Sequence, residues 1–265
     1  MGHPTRASNR RKERGLTAAE GVAMENKSTL ALVTGGNRGI GRETARQFAA
    51  MGMTVLLGAR EESRGREAAE ELAAYGDVRF IQLDVTDDDQ ISAATRTVDE
   101  TFGSLDILVN NAGVIAERNI TAATAVVDEV RTTYETNVFG ALRVTNGFLP
   151  LLLRSSAGRV VNVSSFLGSL ELSGRNSPNL GIPTLLGYNT SKTALNALTA
   201  QYAAELRNHP IKINSADPGY VSTDLNGHTG TRSVEQGAAV VVSLATLGED
   251  GPTGGFFGEE GPVPW

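Results

Sequence analysis

At 265 residues with 40% hydrophobic side chains, the chain can bury a substantial core, and α/β folds of this size commonly stay undivided. A net charge of −6 argues against a nucleic-acid scaffold, and the absence of cysteine excludes disulfides and thiolate metal sites. The histidines His3, His209 and His228 are scattered where a zinc site needs a cluster, and no apolar run reaches the roughly 20 residues that cross a bilayer, so a cytoplasmic protein without metal is expected.

In chain order, Arg6, Arg10, Arg11, Lys12 and Arg14 crowd an opening stretch with no periodic apolar face and no signal-peptide core. This predicts a disordered tail over 1–26 ahead of one domain over 27–265. Residues 30–33 read as a buried strand, followed by a glycine turn and a helix over 42–51. A second strand over 54–57 leads to a charged helix over 61–75, and a third over 78–83 to a helix over 88–102. A fourth strand over 105–109 precedes one long helix over 124–153. A fifth over 159–163 is followed, after a loop over 170–186, by a helix over 187–208. A sixth strand over 211–216 leads to the last helix, 234–247, and 254–258 fits a seventh, edge strand. Continuous apolar strands separated by helices predict a single doubly wound α/β domain, its parallel sheet covered on both faces.

Three segments sit at the carboxyl ends of predicted strands, the edge where open α/β sheets bind ligands. Thr34-Gly35-Gly36-Asn37-Arg38-Gly39-Ile40-Gly41 links the first strand to the first helix, and its glycines let backbone amides approach a pyrophosphate. Asp84-Val85 follows the third strand and Asn110-Asn111-Ala112-Gly113 the fourth. Taken singly, each has a plain alternative: a glycine-rich turn, a helix cap, a strand-ending turn. After the second strand, Ala59 precedes Arg60, whose guanidinium can hold a phosphate by two charge-assisted hydrogen bonds. Arg38 is a second basic candidate, and Glu61 or Glu62 could pair with Arg60 instead. Farther on, Tyr188 and Lys192 share a helical face. A nearby ammonium favours a phenolate and lowers the tyrosine's proton affinity. Ser165 closes the fifth strand, Asn137 lies in the long helix, and Asp217-Pro218-Gly219-Tyr220-Val221-Ser222-Thr223-Asp224 follows the sixth strand.

In this order, from Thr29 to the C-terminus, these segments resemble the short-chain dehydrogenase/reductase family. The glycine turn fits its TGxxxGxG variant rather than the commoner GxGxxG. The resemblance implies a Rossmann-like fold and places Asn137, Ser165, Tyr188 and Lys192 in the catalytic roles. Tyr188 would donate the proton, Lys192 would tune it and hold the nicotinamide ribose, Ser165 would bind the substrate oxygen, and Asn137 would hold a water near Lys192. Ser164 competes with Ser165, but the three-residue step to Gly168 favours Ser165. For the cofactor it implies Gly35, Asn37, Arg38, Gly39, Ile40 and Gly41 at the phosphates, and Asp84 and Val85 at the adenine. It adds Asn111, Ala112 and Gly113 at the adenosine ribose, and Pro218, Gly219, Val221 and Thr223 at the nicotinamide. Ala59 stands where NAD-type members carry an acid, so Arg60 points to NADPH/NADP+.

Tyr188 follows Ser165 by 23 positions, more than in most classical members, and the intervening loop resembles the carbonyl-reductase branch. The expected activity is NADPH-dependent reduction of a ketone or aldehyde, its partner a small-molecule carbonyl or alcohol. Residues 170–186 and 220–230 are expected to form a substrate lid. An NAD(H)-dependent secondary-alcohol dehydrogenase and a non-catalytic dinucleotide-binding sensor are the alternatives, and monomer or homo-oligomer stays open.

Overall fold

The computed structural model describes residues 1–2, 28–117, 121–176 and 185–265. Apart from Met1 and Gly2, the tail expected over 1–26 lies outside them. Strand β1 (Leu30–Thr34) is buried at every position, and its side chains alternate between two cores. Leu30 and Leu32 pack with Phe148 and Leu151 on one face; Ala31 and Val33 pack with Phe48 and Val241 on the other. Helices α1 (Gly39–Ala50), α2 (Glu62–Leu72) and α8 (Val234–Ala245) contribute to the second core. Helices α3 (Asp88–Phe102), α5 (Ala141–Leu152) and α7 (Leu186–Glu205) contribute to the first.

The remaining strands are β2 (Thr54–Ala59), β3 (Val78–Gln82), β4 (Ile107–Asn110), β5 (Gly158–Val163), β6 (Ile211–Ala216), β7 (Phe256–Gly258) and β8 (Gly261–Pro262). Their order is β3-β2-β1-β4-β5-β6-β7-β8, parallel throughout except for the antiparallel β7–β8 pair. The expected seventh strand is therefore not the edge: the chain folds back on it through β8. Strand order reverses between β1 and β4, opening a crevice at their carboxyl ends.

Two expectations need correction. The single helix over 124–153 is broken. Ala125 and Val126 are extended, so α4 runs only over Val127–Tyr134, consistent with β-branched Thr124, Val126 and Val127 disfavouring an early start. The backbone then widens into a π turn, Glu135–Gly140, before α5 begins. The loop over 170–186 also begins as a helix, α6 (Leu170–Asn176), where the Ser169 hydroxyl accepts the Leu172 amide at 3.1 Å. Residues 177–184 lie outside the described residues.

Candidate active site

The glycine turn is held in place by the segment that follows β4 rather than by its own flexibility. Thr34 Oγ1 accepts the amides of Asn111 and Ala112 at 3.0 and 3.1 Å, and Asn111 Nδ2 donates to the carbonyl oxygens of Thr34 and Gly35. Gly35 has φ +62°, and a Cβ there would stand 3.1 Å from Ala112 Cα. A Cβ on Gly41 would fall 2.3 Å from Asn111 Nδ2, so Gly41 lies under the turn as a packing requirement. Arg38 occupies the N-cap position of α1 without a side-chain cap, so the first amides of α1 have no side chain of Arg38 to satisfy them.

A groove of about 630 Å³ opens at this edge. Gly35, Asn37, Arg38, Gly39 and Ile40 line it from the glycine turn; Arg60, Asp84 and Val85 line it from the ends of β2 and β3. Asn111, Ala112 and Gly113 contribute from β4 and Thr223 from the segment after β6. Gly41, Pro218, Gly219 and Val221 do not line it; Val221 is buried, where a Cβ on Gly237 would meet it at 2.5 Å. Glu61 and Glu62 pair with Arg64 and Arg66, not with Arg60, which is exposed and makes no ion pair among the described residues. Arg38 instead bonds Asp224 at 3.1 Å, and Asp224 also takes His228 Nε2 at 2.8 Å. One oxygen of Asp84 is occupied locally by the amide and hydroxyl of Thr86, and α3 is capped by Asp87 instead.

Four polar side chains gather beyond Gly113. A Cβ on Gly113 would lie 3.5 Å from Asn137 Oδ1 and 3.7 Å from Lys192 Nζ, so the groove adjoins this cluster. The helix α7 carries Tyr188 and Lys192 one turn apart, with Lys192 Nζ 5.5 Å from the Tyr188 ring centre and donating to the Val163 carbonyl at 2.7 Å. Ser165, whose Oγ accepts the Leu167 amide at 3.2 Å, lies close enough to the Tyr188 side chain to favour its phenolate. Ser164 turns the other way, toward the Lys192 carbonyl at 3.4 Å. Asn137 sits in the π turn, 1% exposed, its Oδ1 accepting the Val114 amide and its Nδ2 donating to Val114 O and Ser191 Oγ. Ser191 in turn donates to the Tyr188 carbonyl at 2.7 Å, so Asn137 is tied to the Tyr188 turn of α7.

The electrostatics correct one expectation. Burial pushes the Tyr188 hydroxyl up to about 12, the Asp217 carboxylate adds to the rise, and the neighbouring Ser165 hydroxyl opposes it. Burial also lowers the Lys192 ammonium, to about 8. Desolvation thus outweighs the attraction anticipated from spacing alone. Asp217, itself raised by burial, was visible in the sequence only as the start of a turn. The sequence reading also missed Arg64, Arg131 and Thr132, which line the groove; Arg64 lies in the first turn of α2, close after Arg60 in the chain, a signal that could have found it.

The profile of the short chain dehydrogenase family matches residues 29–233. The chain belongs to that family. Within the short-chain dehydrogenases its relatives point to the carbonyl-reductase-like branch. The (+)-neomenthol dehydrogenase of Capsicum annuum is 33% identical, the match covering 89% of this chain and 98% of that one. Carbonyl reductase (NADPH) 1 of Bos taurus is 34% identical over 91% of this chain and all of the relative. The crystal structure of NADPH-bound carbonyl reductase from chicken fatty liver superposes with a TM-score of 0.79 at 28% identity, covering 90% of this chain and 100% of that one. This short-chain dehydrogenase is accordingly an oxidoreductase of the kind that interconverts carbonyl and alcohol. No helix among its described residues is long and apolar enough to cross a membrane.

Proposed function

We propose that the chain catalyses NADPH-dependent reduction of a ketone or aldehyde to the alcohol, with Tyr188 as proton donor. The observation that carries this reading is the burial of Tyr188 together with Ser165 and Lys192, the Lys192 Nζ 5.5 Å from the Tyr188 ring centre. A protein that only binds a dinucleotide has no need of a buried hydroxyl pair there.

The groove suits a dinucleotide because Gly35 and Gly39 in its glycine turn hold positive φ and leave its floor without side chains, and its rim presents Arg60 without an acidic partner among the described residues. Gly35, Asn37, Gly39 and Ile40 would hold the pyrophosphate, with Gly41 supporting the turn from beneath, Arg60 the 2′-phosphate with Arg38 beside it, and Asp84 and Val85 the adenine. Asn111, Ala112 and Gly113 would flank the adenosine ribose, Lys192 and Tyr188 the nicotinamide ribose, and Pro218, Gly219, Val221 and Thr223 the nicotinamide. When bound, NADPH supplies the hydride that reduces the carbonyl carbon.

The protein's own share is to handle the oxygen. Ser165 donates to the carbonyl oxygen and stabilises its growing negative charge. Tyr188 transfers its proton to that oxygen, completing the alcohol and leaving a phenolate. A high proton affinity suits a hydroxyl kept protonated, and a charged Lys192 steadies the phenolate once formed. Asn137, fixed by Val114 and Ser191, holds the surroundings of Lys192 through which a proton returns.

The test is to supply purified protein with NADPH and a panel of aliphatic and aromatic ketones, aldehydes and quinones and to follow NADPH consumption. Turnover preferring NADPH over NADH, abolished in Tyr188→Phe, is expected. NADPH binding without turnover of any carbonyl, unchanged in Tyr188→Phe, would make the chain a binding protein instead.

A further inference from the structure

Helix α7 presents Tyr188 at the third position of its first turn, yet its own N-cap residue is Leu185, which has no side-chain acceptor to offer the free amides. The acceptor comes from elsewhere in the chain. Glu117, 71 positions earlier, extends one carboxylate oxygen to the Tyr188 amide at 2.9 Å. Its other oxygen accepts the hydroxyl of Thr133 at 3.1 Å, and that same hydroxyl accepts the Ala116 amide at 3.2 Å. Thr133 is fully buried in α4, so the carboxylate is braced against a fixed element.

The fit leaves no slack. A Cβ on Gly187 would lie 2.8 Å from Glu117 Oε1, 3.0 Å from its Cδ and 3.2 Å from Val130 Cα. A glycine immediately before Tyr188 is what lets the carboxylate reach the helix end. The position also suits the charge, because a carboxylate at a helix N-terminus meets the positive end of the dipole.

We propose that Glu117 is a positioning residue: a cap supplied from the segment after β4 that fixes the first turn of α7 and, through it, the aim of the Tyr188 hydroxyl toward Ser165. Together with Asn137, which ties Val114 to Ser191, it fastens the loop beyond Gly113 to the Tyr188 turn at two points. The proposal rests on Tyr188 being the proton donor. Small displacements of a reacting group cost rate far more than they cost affinity for a ligand bound elsewhere.

The test compares Glu117→Ala, Glu117→Gln, Gly187→Ala and the Glu117→Ala/Gly187→Ala pair with the parent, using whichever panel carbonyl the parent reduces fastest. Glu117→Ala should lower kcat by about tenfold or more while leaving the NADPH dissociation constant within about twofold. Glu117→Gln keeps an oxygen for the Tyr188 amide and can donate to Thr133, so it should restore most of kcat. Gly187→Ala should mimic Glu117→Ala, and the pair should be no worse than either alone, because both remove one contact. Full kcat in Glu117→Ala overturns the proposal. So does a loss of NADPH affinity as large as the loss of kcat, or additive effects in the pair. If the parent reduces no carbonyl, the proposed function fails, and amide exchange across residues 185–192 then decides: faster exchange in Glu117→Ala upholds the cap, unchanged exchange removes it.

Discussion

Lys192 Nζ donates to the carbonyl oxygen of Val163 at 2.7 Å while lying 5.5 Å from the centre of the Tyr188 ring. A cation this deeply buried weakens the fold that holds it. Its pKa is about 8 against an ordinary 10.5, so between these values the unfolded chain binds the additional proton. The penalty is complete below pH 8 and fades as pH rises toward 10.5. Lys192→Met should therefore stabilise the protein at pH 7 by up to about 3 kcal/mol, less the lost hydrogen bond, while abolishing turnover. The gain should shrink at about pH 9.5. Thermal unfolding of both proteins at the two pH values checks this; an equal gain at each would assign the effect to packing.

Tyr188→Phe keeps the ring and removes only the hydroxyl. Turnover should fall by about a thousandfold or more, with NADPH affinity nearly intact. In the parent, the hydroxyl pushed up to about 12 stays protonated through neutral pH. Reduction should not be limited by loss of the Tyr188 proton at pH 8, whereas oxidation of an alcohol, which needs the phenolate, should still be rising above about pH 9. A plateau in oxidation below pH 8 would contradict the high proton affinity.

At the other end of the groove, Arg60 has no acid partner among the described residues to leave before meeting a 2′-phosphate, whereas Arg38 is engaged with Asp224. Arg60→Ala should weaken NADPH binding by about 1.5–3 kcal/mol and NADH binding hardly at all, measured by titration with both nucleotides. Equal losses would remove Arg60 from the phosphate site.

Adjacent serines offer an internal control. Ser165 faces Tyr188 and Ser164 faces the backbone of Lys192. Ser165→Ala should lower kcat by about a hundredfold. Ser164→Ala should cost no more than the roughly 1 kcal/mol of a weak buried hydrogen bond, seen in unfolding rather than rate. The reverse pattern would exchange their roles.

Much of this was legible because the apolar runs 30–33 and 54–57 are too short for helices and fully buried as strands. The glycine turn was legible too, since its residues are dictated by contact with Asn111 and Ala112. What escaped has a common cause. A π turn adds one residue to a helix without altering its composition, so residues 124–153 read as one element. The start of the loop before α7 looked irregular from its Gly, Ser, Asn and Pro content, yet Ser169 is well placed to begin a helix. The burial that sets Tyr188 and Lys192 depends on surfaces remote in sequence, and the bond between Glu117 and Tyr188 spans 71 positions with no spacing rule to announce it.

The widened turn at Glu135–Gly140 also sets the phase of the helices around it. Each residue of an α-helix turns the chain by about 100°, so one residue absorbed in the bulge swings everything downstream by about that angle. On the upstream side α4 packs against α7; on the downstream side α5 sends Val144, Phe148, Leu151 and Leu152 into the sheet core and meets α3. A straight helix would carry a single apolar stripe for both tasks. The bulge acts as a swivel between two bearings, and the residue placed on the swivel is Asn137, whose carboxamide reaches sideways to Val114 and Ser191.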